Sequence, residues 1–278
     1  MPLKTLLVCL TTLDQAETLM RVAVPLARRN NAHLVGLHTL EALWIYPGVA
    51  VHIPEAVHTA FSDAQRDVAE KIKAVFTEHT RIEDFPSEFR LLRTEGPSAG
   101  ARMVESSRAA DLVIMAREDR ETDRPDQRNA QVQVIRDSGR PVIVVPTGYD
   151  GPEIGNNIVL GWSDTRESAR AAHDLLLVSN EGADVTVLRV GSTEVTLADS
   201  DAIDVSGVLS RHGLHPTLEM RPPSGGSIAD VLNKVAFEKG ADLIVTGALG
   251  HSRAYDFVIG ATTHNLLLDA KLPVLFSK

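Results

Sequence analysis

ADLVIM at Ala110–Met115 and ADLIVT at Ala241–Thr246 are nearly the same six residues. Each is an apolar run behind Ala-Asp, too short for a helix and bounded by loop residues, as in a strand buried on both faces of a parallel sheet. The echo spreads outward from these two runs. RPVIVVP around Pro141 returns as LPVLFSK around Pro273, and LLVCL (Leu6–Leu10) followed by AHLVGLH returns as IVLGW (Ile158–Trp162) followed by ADVTVLRV. A chain written twice is to be read repeat by repeat.

Each repeat alternates strand and helix through five strands, and parallel strands require such helical crossovers. The pattern predicts an α/β fold of two tandem doubly wound domains, each with a five-stranded parallel sheet flanked by helices. The Gly-, Pro- and Asn-rich stretch PTGYDGPEIGNN (Pro146–Asn157) reads as the linker. The expected domains are residues 1–147 and 155–278. The first repeat carries an insertion, EALWIYPGVAVHIPEAVH, before a long amphipathic helix. The edge strands ending VIVVP and VLFSK are expected to pack together as an intrachain pseudo-dimer, with a homodimer as a further step.

Composition narrows the function. The 44% hydrophobic and 23% charged content belongs to a globular protein with ample core. A net charge of −9 excludes nucleic acid as the main partner, since phosphate backbones need a basic footprint. No apolar stretch approaches the ~20 residues of a membrane span. The opening MPLKTLLVCLTTLDQAE reads as a strand rather than a signal peptide, so the expected location is cytoplasmic. The single cysteine, Cys9, forms no intrachain disulfide and reads as a small buried hydrophobe.

The second repeat ends in GALGHSRAYDFVIGATTHNLLLDAKLPVLFSK, from Gly247 to Lys278. Gly247 sits at the carboxyl end of a strand, where open α/β sheets bind ligands. A helix follows Gly260, and its free amides favour an anion. Thr262 and Thr263 add hydroxyl donors. The residues read as a phosphate cradle, without a Walker lysine and without a G-x-G-x-x-G.

The spacing G-x2-G-x9-G, followed by small hydroxylated residues, resembles the nucleotide-binding motif of the universal stress protein family, and nearly the whole chain outside the insertion shares that organisation. The resemblance implies a universal stress protein-like, adenine nucleotide alpha hydrolase-like fold that binds ATP or a related adenine nucleotide. Mg²⁺ can accompany the nucleotide, held by phosphate oxygens and water. It places Gly247, Gly250, His251, Ser252, Gly260, Ala261, Thr262 and Thr263 around the ligand. Ser163, Asp164 and Val190 fall on the base and ribose side. Two positions depart from the family pattern. Ala261 stands where Ser or Thr follows the third glycine, and Ser163 stands where the family has Asp, so adenine recognition is altered or passes to Asp164.

The first repeat has no such loop. Ala116 and Arg117 stand where the first glycine belongs, and Asp119, Glu121 and Asp123 would repel a triphosphate. One competent site per chain is expected. Trp44, Tyr46, His52 and His58 in the insertion line an apolar pocket or, more simply, cover the core, and the two histidines read as helix-surface residues rather than as a metal pair. Trp162 reads as core or dimer packing rather than a base-stacking residue.

Three rivals remain. GPSAG (Gly96–Gly100) matches the G-x-S-x-G of a nucleophile elbow. The same turn recurs as GGSIAD with Ser227 in place of Ser98, which reads more simply as a helix N-cap. A stress protein acting through partners without nucleotide is the second rival. Slow ATP hydrolysis is the third, with Asp164 and His251 the nearest candidates to activate water.

Overall fold

The structure, a computed structural model, describes residues 3–42, 54–94, 98–118, 129–151, 153–191, 201–223, 226–249 and 260–278. The chain divides into two compact units, Lys4–Ser138 and Gly139–Lys278, the latter including Leu3.

The first unit runs β1 (Thr5–Cys9), α1 (Leu13–Asn30), β2 (His33–Leu40), α2 (Glu55–Thr80), β3 (Ser87–Arg93), α3 (Gly100–Ser107), β4 (Leu112–Ala116) and α4 (Ala130–Asp137). Its strands lie in the order β3-β2-β1-β4, and every pair is parallel. The central β1 and β4 are the apolar runs of the sequence and are almost wholly buried, whereas β3 at the edge exposes most of its side chains. The long helix expected after the insertion is α2, which buries Ala69, Ile72 and Phe76 from its second half. Trp44, Tyr46 and His52 lie outside the described residues, and His58 is exposed on α2.

The second unit runs β5 (Val142–Val145), β6 (Asn157–Trp162), α5 (Arg166–Asp174), β7 (Asp184–Val190), α6 (Ala202–Arg211), β8 (His215–Arg221), α7 (Ile228–Lys239), β9 (Leu243–Gly247), α8 (Ala261–Asp269) and β10 (Val274–Ser277). The strand order is β5-β10-β9-β6-β7-β8. All pairs are parallel except β5 with β10, which runs antiparallel. The α/β class with a mostly parallel sheet is therefore as the sequence pattern implied, and β5 is the strand that departs from it. Both β5 (VIVV) and β10 (VLFS) are four-residue strands with every residue buried. Pairing them covers two edges that would otherwise present unpaired amides and carbonyls.

The repeated Ala-Asp has a structural cause. Asp111 precedes β4, and its Oδ2 accepts from the Lys4 and Thr5 amides, both at 2.9 Å. Asp242 precedes β9 and does more. Its Oδ1 accepts from the Gly155 amide at 2.7 Å, and its Oδ2 accepts from Asn156 and Asn157 at 2.8 and 3.0 Å. In each unit a carboxylate at the foot of one strand holds the start of its neighbour. Tyr149 is buried within reach of the charge on the second of these carboxylates. Burial first, then the charges of Asp242 and Asp150, push its phenol up to about 12.

Local signals set the helix ends. Ser227 caps α7 in a capping box with Asp230, and Gly240 closes it in the left-handed conformation at φ +62°. Thr165 caps α5 by accepting from the Ser168 amide. Cys9 is buried in β1, and burial pushes its thiol up to about 12, as befits an inert core residue.

Candidate functional site

A cleft of about 150 Å³ opens at the carboxyl rim of the second unit, where β9, β6 and β7 end side by side. Each strand contributes one part of its wall. From β9 come Thr246 and Gly247, followed by Leu249. From β6 and the turn after it come Trp162, Ser163, Thr165 and Glu167. From β7 come Leu188 and Val190, with Ile228 and Leu232 of α7 beside them. The first turn of α8, Gly260–Thr263, completes the lining.

The chemistry of this wall is graded. At the β9 side, α8 begins without a side-chain cap. Its first intrahelical bond is the His264 amide donating to the Gly260 carbonyl at 3.0 Å. The amides of Ala261, Thr262 and Thr263 therefore have no partner within the helix, and they stand where the helix dipole is positive. At the β7 side, Leu188, Val190, Ile228 and Leu232 form an apolar patch. A ligand with an anionic end and a flat apolar end matches this gradient.

Gly247 is a glycine for a reason the sequence does not display. A Cβ there would come within 2.7 Å of the Glu167 carbonyl carbon and of the Ser168 amide nitrogen. Both are backbone atoms of the first turn of α5. The strand end and the helix start are in contact, and only a residue without a side chain lets them meet. Next to it, Leu249 holds a left-handed backbone at φ +63°, a conformation that costs a branched residue energy and recurs at ligand sites.

The predicted residues are distributed as follows. Gly247, Gly260, Ala261, Thr262, Thr263, Ser163 and Val190 share the cleft wall. Gly250, His251 and Ser252 lie outside the described residues. Asp164 is exposed and is not part of the wall. Ser163 is turned into a hydroxyl cluster, its Oγ lying 3.3 Å from Thr165 Oγ1 and 3.2 Å from Ser168 Oγ. Trp162 is buried, donates from Nε1 to Asp201 Oδ1 at 2.9 Å, and shows part of its ring to the cleft.

Sequence reasoning missed Glu167. It is buried to 4% exposure, yet it lines the cleft. Among the described residues its carboxylate pairs with Arg166 alone, a side chain 88% exposed. Its neighbour Ser168, three residues after the cap Thr165, gave no hint that a carboxylate would be turned inward.

The first unit treats the same rim differently. Leu6 opposite Leu112 and Ile158 opposite Leu243 hold equivalent registers, so Gln15 corresponds to Glu167 and Ala116 to Gly247, and the matching burial of Gln131, Val134 and Ile135 with Thr263, Leu266 and Leu267 pairs Gln131 with Thr263. Gln15 and Gln131 are both buried. Gln15 Nε2 donates to the Arg117 carbonyl at 3.2 Å, and Gln131 Nε2 donates to the Ala116 carbonyl. Two amide side chains thus occupy the end of β4. Asn129 enters α4 with φ +60°, where Gly260 enters α8 with φ −60°. Asp119, Glu121 and Asp123 lie outside the described residues.

Other candidate chemistry is accounted for. Ser98 Oγ accepts from the Gly100 amide at 3.2 Å and lies 3.3 Å from Gln133 Oε1, so it sits in a helix-start turn without a histidine partner among the described residues. Among those residues no group of three or more His, Cys, Asp or Glu side chains is placed to hold a metal. No helix among them is long and apolar enough to cross a membrane.

Comparison with known proteins bears on this geometry. A universal stress protein from Archaeoglobus fulgidus DSM 4304 superposes with a TM-score of 0.71 at 14% identity, covering 98% of this chain and 96% of that one. A putative universal stress protein from Pseudomonas aeruginosa UCBPP-PA14 gives 0.58 at 14% identity, over 99% and 93%. A functionally unknown protein from Pseudomonas aeruginosa PAO1 gives 0.56 at 12% identity, over 99% and 92%. At such identities these matches speak for the fold. No curated protein matches the chain. The sequence profile of the universal stress protein family matches residues 2–146 and 224–278, the second stretch including the loop from Gly247 to Thr263. The chain belongs to the universal stress protein family.

Proposed function

We propose that the second unit binds ATP or a related adenine nucleotide in the cleft at its carboxyl rim, and that the bound nucleotide serves as a regulatory or structural ligand. The observation that carries this reading is the uncapped start of α8. Three residues whose amides have no partner within the helix, Ala261, Thr262 and Thr263, line a cleft whose opposite wall is apolar. Phosphate groups would take the amides, and the base would lie against Leu188, Val190 and Ile228. Mg²⁺ would travel with the phosphates, held by their oxygens and by water. Of the two candidates to activate water, Asp164 is exposed outside the wall and His251 lies outside the described residues, so the reading assigns the nucleotide no rapid turnover.

Ala261→Asp tests the reading. Ala261 is exposed in the first turn of α8, where an acidic side chain suits the helix dipole and leaves the fold intact. The same carboxylate would oppose the phosphates. Equilibrium dialysis is expected to show at least about a tenfold loss of ATP affinity, with an unchanged or slightly raised melting temperature. Unchanged ATP binding by the variant, or none by the unmutated chain, would remove the reading. One observation favours partner binding without nucleotide: Ser163, at the end of β6, offers no carboxylate and spends its hydroxyl on Thr165 and Ser168. Absence of ATP binding by the unmutated chain would turn the choice that way.

A further inference from the structure

We infer that Glu167 is the sugar-recognising group of the cleft, its carboxylate accepting hydrogen bonds from the ribose hydroxyls of the bound nucleotide; this rests on the nucleotide reading above. Four observations converge on this residue.

The first is its burial. A carboxylate at 4% exposure needs compensation, and its one partner among the described residues is a guanidinium standing in water. An ion pair with so exposed an arginine contributes little.

The second is the internal comparison. The first unit carries Gln15 at the equivalent position, and the amide of Gln15 donates to the Arg117 backbone carbonyl. A carboxylate has no proton to donate. Glu167 cannot close its rim in that way and is left lining the cleft as an acceptor.

The third is position along the rim. The sheet order β9-β6-β7 puts the amide cradle at one end and the apolar patch at the other. Glu167 stands on the connection that leaves β6, between the two. In a nucleotide the sugar lies between phosphate and base.

The fourth is sign. A carboxylate repels phosphate and accepts from hydroxyls, and a ribose presents two adjacent O–H donors that one carboxylate can take together. The nearer serine, Ser163, has its hydroxyl engaged elsewhere.

The test measures equilibrium binding of ATP, 2′,3′-dideoxy-ATP and inorganic tripolyphosphate to the full chain and to its Glu167→Gln variant, with and without Mg²⁺. Glutamine is what the first repeat already carries at this position. The unmutated chain should bind ATP about tenfold more tightly than the dideoxy analogue, the difference expected when a charged hydrogen bond is lost. That comparison needs no variant. Glu167→Gln should weaken ATP several-fold and shrink the ribose preference to about threefold or less. It should bind tripolyphosphate as well as, or better than, the unmutated chain.

Equal affinity of the unmutated chain for ATP and the dideoxy analogue would overturn the inference. So would a variant that loses ATP and tripolyphosphate in equal proportion, which is the mark of a merely structural residue. An ATP loss that appears only with Mg²⁺ present would also overturn it, because the carboxylate would then be acting on the metal. If the unmutated chain binds tripolyphosphate but not ATP, the nucleotide reading itself has failed.

Discussion

The two carboxyl rims of this chain descend from one sequence pattern and end in opposite states. In the first unit Ala116 finishes β4, and two glutamine amides settle onto the backbone carbonyls of Ala116 and Arg117. In the second, Gly247 finishes β9, the start of α5 moves up against it, and Glu167 and the amides of α8 are left facing a cleft. The contrast turns on hydrogen-bond sign. A glutamine can donate to a carbonyl and close a rim, whereas a carboxylate can only accept and a threonine is too short to reach across. Two glutamine side chains satisfy the backbone of the first rim by themselves.

The sharpest way to break the contrast is at Gly247. Gly247→Val would force a side chain into the Glu167 and Ser168 backbone, whose atoms lie 2.7 Å from the added Cβ. Helix and strand would have to part. A loss of about 3 kcal/mol or more is expected in urea denaturation, with loss of nucleotide binding. The mirror change, Ala116→Gly, removes one methyl from a position already adapted to it. Its expected cost is about 1 kcal/mol. Similar costs for the two would mean that the close approach at Gly247 does not distinguish the rims.

At the other end of the same strands the staples can be compared. Asp242→Ala frees three amides, one of them on buried Gly155, while Asp111→Ala frees two, one on exposed Lys4. The expected losses are about 3 kcal/mol and about 1–2 kcal/mol respectively, because amides that water can reach are partly compensated. Chemical denaturation of both variants measures the difference. A reversal of the order would show that burial of the freed amides does not set the cost.

The repeats, the strands and the α/β class were legible because apolar runs of four to seven residues between turn signals have few other uses. The helix start after Gly260 was legible too, since a glycine before a helical run has a direct backbone meaning. What escaped were facts set by tertiary contact. Nothing local in VIVVP says that it will run antiparallel to VLFSK. Gly247 looked like freedom for the loop and proves to be room for a helix. Asp164 was the carboxylate nearest the departed family position, but it lies exposed before the cap of α5, and Glu167, in the first turn of that helix, lines the wall. The cap at Thr165, which fixes where α5 begins, was the available signal.

Converting one rim toward the other is a milder test. Gln15→Glu would leave the Arg117 carbonyl without its donor and place a carboxylate beside it. The expected cost is about 2 kcal/mol near neutral pH. The loss should shrink when the pH is lowered enough to protonate the new side chain, because a protonated carboxyl regains a donor. Thermal melts across acidic pH check this. A variant as stable as the parent would mean that the glutamine amides do not hold the first rim shut.

The smallest effect concerns the layer that only the Asp242 staple carries. Tyr149 ordinarily would lose its proton near 10, and in the folded chain it holds it to about 12, chiefly because it is buried and next because Asp242 and Asp150 lie close. The folded-state value is raised, so the preference for the neutral phenol is fully present below pH 10. Between pH 10 and 12 the unfolded chain ionises while the folded chain does not. Unfolding then releases a proton, and stability falls as pH rises through that window. Tyr149→Phe removes the ionisation and keeps the ring, so its stability should decline less steeply from pH 10 to 12 than that of the parent. The other groups that titrate there are common to both chains, and the difference between the two denaturation series isolates the phenol. If the two slopes coincide, burial and the nearby charges of Asp242 and Asp150 do not hold the phenol neutral in the folded chain.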